Sequence, residues 1–113
     1  MTDKIVVFST CASEEEAEKL ARLVVEQELA ACASIVPNVR SYYRWQGAVE
    51  TAAEYLLVIK SARRQFAALS AALERAHSYE VPEVLAVPVV EGSAPYLAWL
   101  DASIGGEKED DSQ

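Results

Sequence analysis

Val39-Arg40-Ser41-Tyr42-Tyr43-Arg44-Trp45-Gln46-Gly47 is the stretch that decides the fold. Val39, Ser41, Tyr43 and Trp45 fall on one side of an extended chain, with Arg40, Tyr42 and Arg44 on the other. Gln46-Gly47 predicts a hairpin turn, and the return arm from Val49 to Lys60 gathers Tyr55-Leu56-Leu57-Val58-Ile59 into an apolar finish. Pro37-Asn38 is expected to bend or interrupt the outgoing arm. An arm from Ala33 to Trp45 extends roughly 40 Å at about 3.3 Å per residue, twice the usual strand length.

Working outward, Ile5-Val6-Val7-Phe8 reads as a buried strand ending at Ser9-Thr10. Ser13 stands three residues before Glu16, a capping-box spacing, with Glu14, Glu15 and Glu16 where a helix dipole favours negative charge. Ala17, Leu20, Ala21, Val24, Val25 and Leu29 then form one helical stripe. A second helix is predicted from about Arg63 to Ala76, capped by Ser61 and ending near His77. Val84 to Val90 reads as a last strand, with Pro88 placing part of it on an edge or bulge. Ser93 and Pro95 open a short terminal helix carrying Tyr96, Leu97, Trp99, Leu100 and Ile104.

The order βαββαβ plus a terminal helix is the split βαβ, ferredoxin-like arrangement of an α+β sandwich, with both helices on one sheet face. The hairpin is too long for the domain that carries it. Its exposed aromatic edge predicts pairing with neighbouring chains in a closed homo-oligomer.

Composition narrows the function. With 113 residues, 51% hydrophobic, the chain has material for one core. A net charge of −8 repels phosphate backbones and anionic headgroups, which argues against a nucleic-acid or membrane partner. No apolar run approaches the roughly 20 residues that cross a bilayer, and Met1-Thr2-Asp3-Lys4 has no basic region leading into a signal-like stretch, so a cytosolic location is expected. Two cysteines, Cys11 and Cys32, are too few for a disulfide framework. Residues 105–113 read as a disordered acidic tail, leaving 1–104 as the domain.

Several separated motifs, in order, resemble the CutA divalent-cation-tolerance family across about residues 4–104. These are Leu29-Ala30-Ala31-Cys32-Ala33 leading into Val36-Pro37, Tyr42-Tyr43-Arg44-Trp45-Gln46-Gly47 with Glu50, and Glu54 through Ile59-Lys60-Ser61. His77-Ser78-Tyr79-Glu80-Val81-Pro82-Glu83 and Tyr96-Leu97-Ala98-Trp99-Leu100 complete the set. The resemblance implies a homotrimer built by strand pairing between subunits, an architecture similar to the PII signalling proteins, an association with copper and other divalent cations, and no enzymatic activity. Some family members are thought to bind copper through a cysteine at the end of the first strand and histidines after the second helix. Those positions here hold Ser9, Ala76 and His77.

His77, Cys11 and Cys32 are the candidate metal ligands: His77 because neutral imidazole ligates metals, the cysteines because thiolates suit copper. Their ordinary roles are a helix-end hydrogen bond for His77, core packing for Cys32 and an exposed loop position for Cys11. No Cys-X-X-Cys or His-X-X-X-His spacing exists, so a metal site must assemble from distant segments or across subunits. Trp45, Lys60, Tyr79 and Glu83 form a candidate ligand set in a cleft between subunits, with aromatic walls, an anion held by Lys60 and hydrogen bonds accepted by Glu83. Taken singly, Trp45 reads as interface packing, Lys60 and Glu83 as an ion pair, and Tyr79 as a hydrogen-bonded core edge. A metal-responsive trimer is the leading reading, and a PII-like small-ligand trimer without metal chemistry is the alternative. An acid–base pair of His77 with Glu80 or Glu83 ranks last, for want of a nucleophile motif.

Overall fold

The computed structural model describes residues 1–106. β1 (Lys4–Cys11), α1 (Glu14–Glu26), β2 (Cys32–Trp45) and β3 (Ala48–Ala62) are followed by a 3₁₀ turn (Arg63–Gln65), α2 (Phe66–Ala76), β4 (Leu85–Pro88) and α3 (Ala94–Ala102). The strands form one sheet in the order β2-β3-β1-β4, every neighbouring pair antiparallel. Glu16 N–H donates to Ser13 Oγ at 3.1 Å, the N-cap expected from the sequence.

Alternation sorts the sheet into two faces. Ile5, Val7, Leu57 and Ile59 are buried against Ala17, Leu20 and Val24 of α1 and Leu69, Ala72 and Leu73 of α2. On the opposite face α3 closes one end, where Leu100 and Ile104 bury with Ala31 and Ala62. Val6, Phe8, Leu56 and Val58, on that same face, are only half-buried.

Lys4 Nζ reaches Asp3 and Asp101, and Arg64 Nη1 meets the same Asp101 Oδ1 at 2.8 Å, tying α3 to β1 and to the start of the second helical segment.

The hairpin is as long as its sequence requires. Paired residues run from Val39↔Glu54 out to Trp45↔Ala48, and the molecule measures 53 × 25 × 23 Å. Its radius of gyration of 15.1 Å exceeds the about 13 Å of a compact chain this long. Gln46 (φ 50°) and Gly47 (φ 83°) both take positive φ, the tight turn whose twist suits two antiparallel strands. Asn38 (φ 64°) sits in the register shift between Val36 and Val39, the interruption expected at Pro37-Asn38.

Several boundaries differ from the sequence reading. β1 continues past Ser9-Thr10, because Cys11 still pairs with Tyr55. Ser61 caps no helix: β3 runs through it, and its hydroxyl donates to Leu29 O at 2.6 Å, which satisfies a polar group in a buried strand. α2 therefore begins at Phe66, after the 3₁₀ turn. β4 is confined to Leu85–Pro88, and all four of its residues are exposed. Ser93 stands at the N-cap of α3 without a capping bond. Gly105, assigned to the tail, donates to Glu28 O at 2.8 Å. Residues 107–113 of the expected tail lie outside the described residues.

Candidate functional site

The β2–β3 register decides which hairpin side chains share a face. Tyr43 opposes Glu50 and Val39 opposes Glu54, so Ser41, Tyr43, Trp45, Glu50 and Glu54 line one side together. Thr10 of β1 continues this face, and the segment after α2 closes it with Tyr79, Glu80, Val81 and Glu83. The result is an open cleft of about 300 Å³ with aromatic walls and four carboxylates, and among the described residues no Lys or Arg lines it.

His77 holds the closing segment in place. The chain leaves α2 there in an extended conformation (φ −75°, ψ 145°). Its ring then bonds on both sides: Nε2 lies 2.8 Å from Thr10 O, and Tyr79 N–H donates to Nδ1 at 3.0 Å. A carbonyl oxygen only accepts, so Nε2 carries the hydrogen and Nδ1 the lone pair, which defines the neutral Nε2–H tautomer. Tyr79 packs on the imidazole at 4.8 Å between ring centroids, and its hydroxyl donates to Glu54 Oε2 at 2.6 Å. Burial, then the Glu54 carboxylate that accepts its proton, hold the Tyr79 hydroxyl above its ordinary pKa. Glu16 adds a second tie, accepting from Ser78 N–H at 2.8 Å and from Ser78 Oγ at 3.0 Å. Burial raises the Glu16 pKa, but the Ser78 bonds outweigh it and the carboxyl lies below its ordinary value.

Trp45, Tyr79 and Glu83 meet in the cleft, and Lys60 does not. Lys60 pairs with Cys32 and Val6, six residues along β3 from Glu54 and so roughly 20 Å away at the strand rise. Its ammonium points to Ser34 Oγ at 3.5 Å. Within one copy, and among the described residues, Lys60 thus neither lines this cleft nor pairs with Glu83. Tyr43, Glu50 and Glu54 were missed as cleft residues, and Glu80 was weighed only as an acid–base partner of His77. The alternation around Gln46-Gly47 contained the signal for the first three.

The metal candidates are only partly brought together. Cys11 is fully buried, not the exposed loop residue expected. Burial, then the nearby Glu16 charge, push its thiol up to about 11, so it is protonated at neutral pH. Cys11 adjoins Thr10, whose carbonyl takes the His77 ring. Cys32 is half-buried, with Sγ 4.0 Å from Tyr96 Oη, and lies two strands across and five rows along the ladder from Cys11, about 17 Å in the strand direction alone. Ser9 Oγ is buried without a hydrogen-bond partner among the described residues, and Ala76 is half-buried. Among the described residues, no three His, Cys, Asp or Glu side chains are placed to hold a metal ion.

An antiparallel sheet in the order 2-3-1-4, two helices on one face, a projecting hairpin and a cleft at its base define a class of small α+β proteins. The family model described as CutA1 divalent ion tolerance protein matches residues 5–103. A relative from Thermus thermophilus, "Divalent-cation tolerance protein CutA", is 44% identical over 100 residues, covering 88% of this chain and 97% of the relative. The human "Protein CutA" is 43% identical over 93 residues, 82% of this chain, which spans only 52% of that protein's length. The crystal structure of CutA from Xylella fastidiosa superposes with a TM-score of 0.90 at 38% identity, covering 92% of this chain and all of that one. The chain belongs to the CutA divalent-cation tolerance family.

Proposed function

We propose that this chain acts in divalent-cation tolerance as a homotrimer, the role its bacterial relatives are named for. One observation carries the assembly: the protein has surface that it cannot cover by itself. The hairpin stands clear of the core with Tyr42 70% and Val49 66% exposed, and Leu85 of the edge strand β4 is 61% exposed. In the trimer these surfaces, and the half-buried face of Phe8, Leu56 and Val58, meet sister chains in a ferredoxin-like sandwich similar to PII architecture.

Divalent cations are then met by ligands from more than one chain. One observation supports this: Cys32, the thiol that reaches the surface, lies apart from the other soft donors of its own copy, Cys11 and His77. Copper fits a thiol donor, which the half-buried Cys32 supplies, whereas Cys11 and His77 are buried with both His77 ring nitrogens already hydrogen-bonded; the net charge of −8 favours cations in general. A reducing cytosol suits the two free cysteines, and no helix is long and apolar enough to cross a membrane among the described residues. The small-ligand reading rests on the aromatic-walled cleft, but its acidic lining selects a cation where the sequence suggested an anion.

Copper titration of the assembled protein, followed by calorimetry, is expected to give saturable binding tighter than about millimolar, which is lost when the chains are separated. Absence of such binding would remove a direct metal role and leave the small-ligand reading.

A further inference from the structure

The hairpin carries opposite charges on its two faces. Ser41, Tyr43 and Trp45 point into the acidic cleft, so by strand alternation Arg40 and Arg44 stand on the reverse face, opposite Ala53 and Val49. Both arginines are exposed, and neither forms an ion pair within the chain among the described residues. Nor can they neutralise their own cleft, because the two-stranded ribbon lies between. Among the described residues, the cleft therefore has four carboxylates and no cation lining it, and the reverse face of the ribbon has two cations and no carboxylate.

A ring of three identical chains needs this kind of inequality. Around a threefold axis each contact is heterologous, joining one patch to a different patch on the next copy, whereas a twofold dimer joins a patch to itself. Resting on the trimeric reading above, we infer that the Arg40/Arg44 face of one hairpin docks at the Glu50, Glu80 and Glu83 rim of the next copy's cleft. Tyr42, exposed between the two arginines, enters with them and meets the Tyr43 and Trp45 wall. Guanidinium suits both surfaces, since it bonds carboxylates in a fork and stacks on aromatic faces. Glu54 stays outside the exchange because Tyr79 already holds it. The cleft is then a socket for a second copy of this chain, and each hairpin is at once plug and socket wall.

Subunit exchange tests the inference. Two isotopically distinct preparations of the full-length trimer are mixed, and native mass spectrometry follows the appearance of mixed trimers. Reversal in Arg40→Glu/Arg44→Glu is expected to speed exchange by roughly tenfold or more, because lost complementarity across a desolvated contact appears mainly in the dissociation rate. Adding Glu50→Arg and Glu83→Arg to the same chain is expected to restore slow exchange. All four positions are exposed, and circular dichroism of each variant verifies that it folds. If the doubly reversed chain exchanges as slowly as the parent, or the four-fold variant is no slower than the double, the socket inference is overturned. Unchanged exchange accompanied by saturable binding of spermidine would assign the cleft to a small organic cation. A parent that is monomeric before any substitution would instead contradict the trimeric reading itself.

Discussion

Alanine in place of His77 is expected to lower the unfolding free energy by about 1–3 kcal/mol, because it strands two partly buried partners at once. Thr10 O loses the Nε2–H donor and Tyr79 N–H loses the Nδ1 acceptor, at a side chain that is fully buried. Urea unfolding checks the magnitude. Hydrogen exchange gives the location: the Tyr79 amide should lose its protection by more than the global destabilisation accounts for, while Val7 and Ile59 in the core follow only the global change. Because the same segment positions Tyr79 against Glu54, the variant should also loosen the cleft, even though His77 is not among the residues that line it.

The second large effect is acid-dependent and sits at the other end of the sheet. Hydrogen bonds from Arg64 and Lys4 hold the Asp101 carboxyl at about 2, against an ordinary 3.8. A carboxyl depressed in the folded state contributes stability that is fully present above the unfolded value and is lost as pH falls through the folded one. The Asp101 side chain is 36% exposed, so solvent screening reduces the contribution to about 1 kcal/mol. Asp101→Asn should therefore be less stable than the parent at neutral pH by about 1–2 kcal/mol, since Lys4 and Arg64, 7% and 13% exposed, also lose charge compensation. The gap should narrow as pH falls from about 4 towards 2. Urea midpoints of both proteins across that range test it, and a gap independent of pH would show that Asp101 acts through shape instead of charge.

Local chemistry was legible in the sequence wherever it acted over a few residues. The Ser13 cap, the Gln46-Gly47 turn and the Pro37-Asn38 interruption each follow from residues adjacent in the chain, and together they fix α1 and the hairpin. Polarity misled at strand ends. Lys60 and Ser61 look like the end of an apolar run, yet the ladder continues to Ala62 because Ser61 finds Leu29 O and because the Lys60 stem lies along the sheet. The same continuation of β1 buries Cys11. Half of the candidate cleft was readable, since alternation about the turn places Glu50 and Glu54 beside Tyr43 and Trp45. The other half depends on His77 meeting a carbonyl 67 residues away, which no local pattern encodes.

Sedimentation equilibrium of the full-length protein at micromolar concentration tests the central claim most directly. A species of three times the chain mass, persisting on dilution, is the expected result. A single species at the chain mass would contradict the account, since the hairpin and the open sheet face would then remain in water.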